Sequence, residues 1–309
     1  MIGRLALFGL VVFALAAPAA AEDSGFPRLG DHVFVPVLSL DEPFIVTQVQ
    51  TAVGLGWTVN STTPLIHPED STVLGSVESD QLLAGIGFKY QQKVKDWLAT
   101  RLAFDVVARL GTDTNSILAD GITGAIGYNI SWILKMYSTQ TVLVSGSVGL
   151  GNRNASFISV LDWFNAQQED QDASLIRGRK SLDGYGGLHA AWGINRRFGL
   201  LGTFYASYGE SFDGSGDNEW HSDLRAALSY NLEQDLDLPL GLALTGGRTE
   251  NDANADSDTG TWFWTSRFAL QGRSDFSLGL QLASYYIDSA GQSDKLQFFD
   301  VSIDMRYYY

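Results

Sequence analysis

The sequence predicts an all-β protein: a transmembrane, antiparallel, up-and-down β-barrel of about twelve strands. Three observations carry that expectation. Apolar residues recur at every second position from Phe44 to the C-terminus. The segments that do so run to about 11–17 residues, whereas strands of globular proteins average about 5–6 and a tilted membrane-spanning strand needs about 9–11 plus its overhang. The connections between them alternate short and long, as the two ends of a membrane barrel do.

The alternation is plain in single segments. "LLAGIGFKY" puts Leu82, Ala84, Ile86, Phe88 and Tyr90 on one face and Gly85, Gly87 and Lys89 on the other. "WLATRLAFDVVARL" sets Leu98, Leu102, Phe104, Val106 and Leu110 against Arg101, Asp105 and Arg109. "GITGAIGYNISWILKM" sets Ile122, Ile126, Tyr128, Ile130, Trp132, Leu134 and Met136 against Asn129, Ser131 and Lys135. Successive side chains of a strand point to opposite faces, so each segment has one apolar and one polar side. The expected strands lie near 44–58, 80–92, 96–110, 120–137, 140–152, 182–196, 198–210, 219–232, 238–249, 261–272, 275–287 and 295–309. The longest connection, 153–181, reads as an external loop.

The N-terminus has a different character. "MIGR", the apolar run "LALFGLVVFALA" and Ala19-Ala20-Ala21 read as a secretory signal cleaved before Glu22, so residues 1–21 are set apart from the fold. Residues 22–43 precede the first strand, and Pro27, Pro36 and Pro43 argue against a further central strand there. We read this stretch as a lead on the near side of the membrane, or alternatively as a short segment tucked into the lumen. The barrel proper is expected over 44–309. The chain has no cysteine, so an exported fold must rest on packing and a closed hydrogen-bond network. Its formal net charge of −15 disfavours nucleic acid as a partner. The mature chain has no run of about 18 apolar residues, so a membrane-embedded form has to be a closed barrel, in which every backbone polar group is paired.

Aromatic residues fall toward the two ends of the apolar face. Trp57, Tyr208, Trp220, Trp262, Trp264 and Tyr286 belong to one rim; Tyr90, Trp132, Trp192, Phe198, Tyr230, Phe276 and Tyr307 belong to the other. The chain closes on "LQFFDVSIDMRYYY", in which Phe299, Val301, Ile303, Met305, Tyr307 and Tyr309 alternate with Asp300, Ser302, Asp304 and Arg306. In this the sequence resembles the outer-membrane β-barrel proteins of Gram-negative bacteria over about residues 44–309; no narrower family is indicated. The resemblance implies location in the bacterial outer membrane, contact with its lipid and lipopolysaccharide, short periplasmic turns and longer external loops. It also implies that the barrel-assembly machinery reads the final strand. That strand more often ends on Phe in the class, so Tyr309 is a modest departure.

The polar face supplies the expected lumen lining: Lys89, Arg101, Asp105, Arg109, Lys135, His221, Asp223, Arg225, Arg267, Asp300, Asp304 and Arg306. A twelve-stranded bore is intermediate between small barrels filled by side chains and porins of 16–18 strands with an aqueous channel. Such charges either pair and plug the bore or line a water-filled path. The connection between the fifth and sixth strands resembles, in position and charge only, the inward-folded loop of general porins. Glu169, Asp170 and Asp172 are therefore candidates for a constriction facing Arg101, Arg109, Arg225 and Arg267.

The first functional reading is a porin-like passive channel for small polar solutes, without cofactor, metal or chemical step. The second is a closed structural or surface-interacting barrel whose external loops are the working part. The third is a barrel-embedded hydrolase using Asp183, His221 and Asp223, which the strand pattern places inside the barrel toward the external rim. The acidic loops "DANADSDTG" and "DGSGDNE" read as solvated tips, because the first lacks the turn glycine and the downstream glutamate of a calcium loop.

Overall fold

A computed structural model describes residues 25–59, 62–66, 73–78, 81–110, 121–158, 176–210, 218–251, 259–287 and 296–309. Two short strands, β1 (Arg28–Leu29) and β2 (His32–Val33), pair with each other before the barrel begins. The barrel strands are β3 (Gln48–Val59), β6 (Leu82–Lys95), β7 (Leu98–Leu110), β8 (Gly121–Ser138), β9 (Val142–Ile158), β10 (Ile176–Gly193), β11 (Phe198–Glu210), β12 (Asn218–Asn231), β13 (Leu240–Asn251), β14 (Thr259–Arg273), β15 (Phe276–Ile287) and β16 (Leu296–Tyr308). A separate hairpin, β4 (Thr62–Ile66) with β5 (Val73–Glu78), lies in the connection between β3 and β6.

Each barrel strand pairs antiparallel with its neighbours in chain order, and β16 closes the cylinder on β3 from Gln297↔Val59 to Tyr308↔Gln48. Closure leaves the barrel sheet no edge, the condition for placing a sheet in hydrocarbon. The apolar alternation points outward: Val53, Ile86, Phe104, Ile126, Leu150, Leu188, Leu224, Leu244, Leu280 and Ile303 are all exposed. A water-soluble protein does not carry such a band, whereas a lipid-facing one requires it. The outer-face aromatics meet across strands at both rims, stacked in Trp57 with Phe299 and Phe198 with Tyr230 and tilted in Tyr208 with Trp220.

The strands depart from the sequence expectation in instructive places. The β9–β10 ladder runs up to Ile158↔Ile176, so residues 153–158 and 176–181, expected in a loop, are strand. There Arg179 and Lys180 put charge on both faces, and the period-two apolar signal disappears once a strand leaves the bilayer. The β12–β13 connection carries one helical turn, α1 (Glu233–Leu236), ended by Asp237 in the left-handed region at φ 52°.

Candidate functional site: an N-terminal plug beneath a lumen vestibule

Residues 32–47 lie inside the barrel and 25–31 cross its mouth, where Arg28, Gly30 and Asp31 are exposed, so the expectation of a periplasmic lead over 22–43 is corrected for 32–43. The reason is apolar: "VFVPV" (33–37) does not alternate, and Phe34, Val35 and Val37 are at most 1% exposed. The wall makes room for them with small inward residues. Ala191, Ala227, Ala243 and Ala269 join Leu29, Phe34, Val35 and Val37 in one buried cluster. Three glycines complete the fit. A Cβ on Gly193 would meet the Leu29 carbonyl oxygen, one on Gly199 the His32 ring, and one on Gly241 the Val35 side chain, all at 2.4 Å or less. Phe44 belongs to this segment as well, and the first barrel strand starts at Gln48 rather than near 44.

The segment enters at the end that carries both chain termini of the barrel. The Phe26 amide donates to the Ser274 carbonyl (2.8 Å), and the Phe26 ring meets Tyr308 edge-on. His32 is fully buried: its Nδ1 lies 3.3 Å from the Arg196 carbonyl oxygen, and its Nε2 lies 3.0 Å from the Ser229 hydroxyl. Burial pulls the His32 pKa below its ordinary value, partly offset by the hydrogen bond to Arg196. The chain rises to an apex at Leu38–Asp41 and returns to β3 through Glu42–Thr47.

At the apex, charges hold the segment. Lys89 Nζ lies 2.7 Å from Asp41 Oδ1, Arg101 Nη1 lies 2.8 Å from Asp41 Oδ2, and the Tyr205 hydroxyl donates to the same carboxylate. Burial pushes the Asp41 carboxyl up, but the Arg101 and Lys89 cations outweigh it and hold it well below the usual carboxylate range. Arg306 Nη1 meets Glu42 Oε1 at 2.7 Å, and its Nη2 donates to the Val37 carbonyl at 2.9 Å. Arg225 donates to the Ser39 carbonyl while both Asp223 oxygens accept from its Nε and Nη2. Lys89 on β6 and Arg225 on β12 are six strands apart in a ring of twelve, so the apex spans the bore.

The predicted lining residues therefore fall into distinct roles. Lys89, Arg101, Arg225 and Arg306 grip the N-terminal segment rather than one another. Arg267 and Asp304 pair within the wall through two hydrogen bonds of 2.8 and 2.7 Å, each side chain at most 1% exposed. Asp105 faces the lumen over Gly127, Asp300 faces it over Gly54, and Arg109 is half-buried. Lys135 pairs with the inward-facing Ser145 just before a bulge at Lys135/Tyr137, so it stays on the inner face but at its exposed end, beside the 96–97 turn, with its amide bonded to the Trp97 carbonyl. Glu169, Asp170 and Asp172 lie outside the described residues.

Above the apex the lumen opens into a cavity of about 480 Å³. Its floor is Leu38, Ser39, Leu40 and Asp41; its walls include Lys89, Asn129, Arg153, Asp183, Tyr185, Tyr205, His221, Asp223 and Arg225. The Tyr185 hydroxyl donates to Asn129 Oδ1, and its ring meets Tyr205 edge-on. His221, Asp183 and Asp223, the candidate hydrolytic group, all line this space, but Asp223 is committed to Arg225 and to the Thr249 hydroxyl. Sequence reasoning did not single out Asp41 and Glu42 as counter-ions, or the glycine and alanine bed beneath them. The unalternating "VFVPV" followed by two acids was the available signal.

No protein-family model matches the chain, and no curated protein matches its sequence. Solved structures are similar in architecture. An outer membrane channel from Pseudomonas putida F1 superposes with a TM-score of 0.50 at 13% identity, over 92% of this chain and 100% of its own. The β-domain of the Bordetella autotransporter BrkA does so with a TM-score of 0.50 at 7% identity, over 85% of this chain and 100% of its own. At these identities the likeness speaks for the fold. The chain has the architecture of Gram-negative outer-membrane β-barrels, without assignment to a particular family of them.

Proposed function

We infer that the protein is an outer-membrane channel for small polar solutes, exported by its N-terminal signal and closed at rest by residues 25–47. The observation that carries the reading is the lumen itself. A cavity large enough for a small metabolite, with polar and charged walls, ends on a segment that belongs to no barrel strand. That segment lies before β3 and is held by side-chain contacts and, at the mouth, a few backbone hydrogen bonds outside the barrel ladders, so it can leave through the periplasmic mouth without breaking a strand pair of the barrel. Passage is then passive, with hydrated solutes moving along the charged wall whenever the plug is displaced.

The same plug favours a second reading, a permanently closed barrel whose external surface is the working part. Swelling of liposomes containing the purified protein, in sugars, amino acids and small ions, separates the two. Swelling that grows when residues 25–46 are deleted supports the channel. Absence of swelling by both the full chain and a deletion variant that still migrates as a folded barrel supports the closed form.

A further inference from the structure

We propose that the vestibule above the plug is a binding site for a small zwitterionic solute of amino-acid type, with Arg153 receiving its carboxylate and Asp183 its ammonium group. The proposal rests on the channel reading for its biological sense, but not for its test.

Several of the charges that line the cavity are spent on partners. Lys89 is spent on Asp41, and Arg225 on Asp223 and the Ser39 carbonyl. Arg153 and Asp183 both line the cavity and face inward on β9 and β10, and neither makes an ion pair with the other or with any described residue. The register fixes their relation. Asp183 pairs with Gly151 and Arg153 with Ser181, which makes Arg153 and Asp183 diagonal neighbours on one wall. Diagonal residues of an antiparallel pair stand about 7–8 Å apart at the backbone. Gly151 has no side chain, and the Asp183 carboxylate leans over it, 3.1 Å from where a Cβ would be. A cation and an anion are thus presented side by side to the same space.

Solutes of one net charge meet one attractive and one repulsive partner on this wall. A neutral polyol gains no charge-assisted bond from either. A zwitterion whose own charges are a few ångströms apart satisfies both at once, and hydrogen bonds to charged groups contribute about 1.5–3 kcal/mol each. The Asn129 amide and the Ser207 hydroxyl, also on the lining, leave room for recognition of a polar side chain.

The test is equilibrium binding to the full-length protein in detergent, followed by ligand NMR, for four matched probes: L-serine, ethanolamine, 3-hydroxypropanoate and glycerol. These carry both charges, the cation alone, the anion alone and neither. Serine is expected to bind at least tenfold more tightly than the other three. Asp183→Asn should weaken serine about tenfold while leaving 3-hydroxypropanoate equal or tighter, and Arg153→Gln should weaken serine likewise while leaving ethanolamine equal or tighter. Equal affinity for all four probes, or serine binding unmoved by either substitution, overturns the proposal. Swelling assays with the same probes are read separately. A protein that binds serine selectively and passes nothing contradicts the channel reading alone. One that passes all four equally and prefers none contradicts this inference alone.

Discussion

Replacing Asp41 by Asn removes the charge that fastens the apex while preserving shape. In the native protein the carboxylate is 2.7 Å from Lys89 Nζ and 2.8 Å from Arg101 Nη1, and it accepts from Tyr205. Arg101 is 4% exposed, while Lys89 and Asp41 are each 22% exposed. Breaking a fully buried pair by removing one partner costs about 3–5 kcal/mol, and an exposed pair contributes at most about 1. With one cation buried and the rest partly wet, about 3 kcal/mol is the expected loss of docking free energy. That multiplies the undocked-to-docked ratio by roughly 100, so a minor state of about 0.1% would become about 10%. Single-channel recording in planar bilayers reads this directly as a rise in open probability at unchanged unit conductance. A control is available because the chain has no cysteine of its own. The Ser39 and Thr265 hydroxyl oxygens are 3.3 Å apart, so Ser39→Cys with Thr265→Cys offers a clamp between plug and wall. Oxidised, it should silence the Asp41→Asn channel, and reductant should restore the activity. An open probability unaffected by either change would refute the idea that residues 25–47 close the path.

Further consequences concern the wall, the bed and pH. Asp304→Ala strands the buried Arg267 guanidinium and should cost the barrel about 3–5 kcal/mol, read as a lowered midpoint of urea unfolding in detergent, whereas Arg267→Met with Asp304→Leu should recover most of it. Gly199→Val with Gly241→Val places side chains where His32 and Val35 now sit. It should expel the plug while leaving the strands paired, seen as maleimide labelling of a Ser39→Cys reporter in a barrel that still migrates as folded. His32 is held neutral, and its docked pKa is lowered by burial. The released segment therefore takes up a proton that the docked one refuses, and docking weakens as pH falls from about 6.5 toward the lowered docked value. Asp41 behaves differently. Its docked pKa is depressed, so its contribution persists above the ordinary carboxylate value of about 4 and is lost only as pH falls through the lower docked one. Open probability should thus rise between pH 7 and 5 in the native protein and rise less in His32→Gln.

The barrel was legible because a lipid-facing strand writes its geometry in every second residue. Twelve expected segments correspond to twelve barrel strands, with both ends of β11 placed to the residue and most others within a few. Where the signal failed, the physical selection behind it had ceased. Beyond the bilayer, Arg179 and Lys180 are both tolerated on one strand, so the upper β9–β10 ladder looked like loop. The β4–β5 hairpin lies outside the closed sheet, so the barrel imposes no pattern on it. The lumen charges were recognisable as inward-facing, but their partners were not. A sequence pattern reports the face a residue occupies and carries no account of a separate segment lying against it. The pattern therefore sets Lys89, Arg101 and Arg306 against charges across the bore, whereas their counter-ions are Asp41 and Glu42 of the N-terminal stretch.

The way this stretch is held bears on how it can be both seal and gate. Apart from the short β1–β2 pairing and contacts at the mouth, its backbone is satisfied by wall side chains: Gln91 donates to the Phe44 and Val46 carbonyls, Ser145 to Pro43, Thr203 to Asp41, Arg225 to Ser39 and Arg306 to Val37. When the plug leaves, each of these wall groups faces a water-filled bore and exchanges one polar partner for another, at a net cost per neutral bond of only about 0.5–1.5 kcal/mol. The apolar part resists more strongly. Exposing a buried Phe or Val costs about 1.5–3 kcal/mol each, and Phe34, Val35 and Val37 are all fully buried. The apolar bed therefore biases the segment toward docking, while the polar wall keeps the undocked lumen hydrated. A bore matched to an all-apolar plug would be greasy when empty, and a plug held by charges alone would rarely close; on the channel reading, the mixture seen here permits a closed resting state with a conductive alternative.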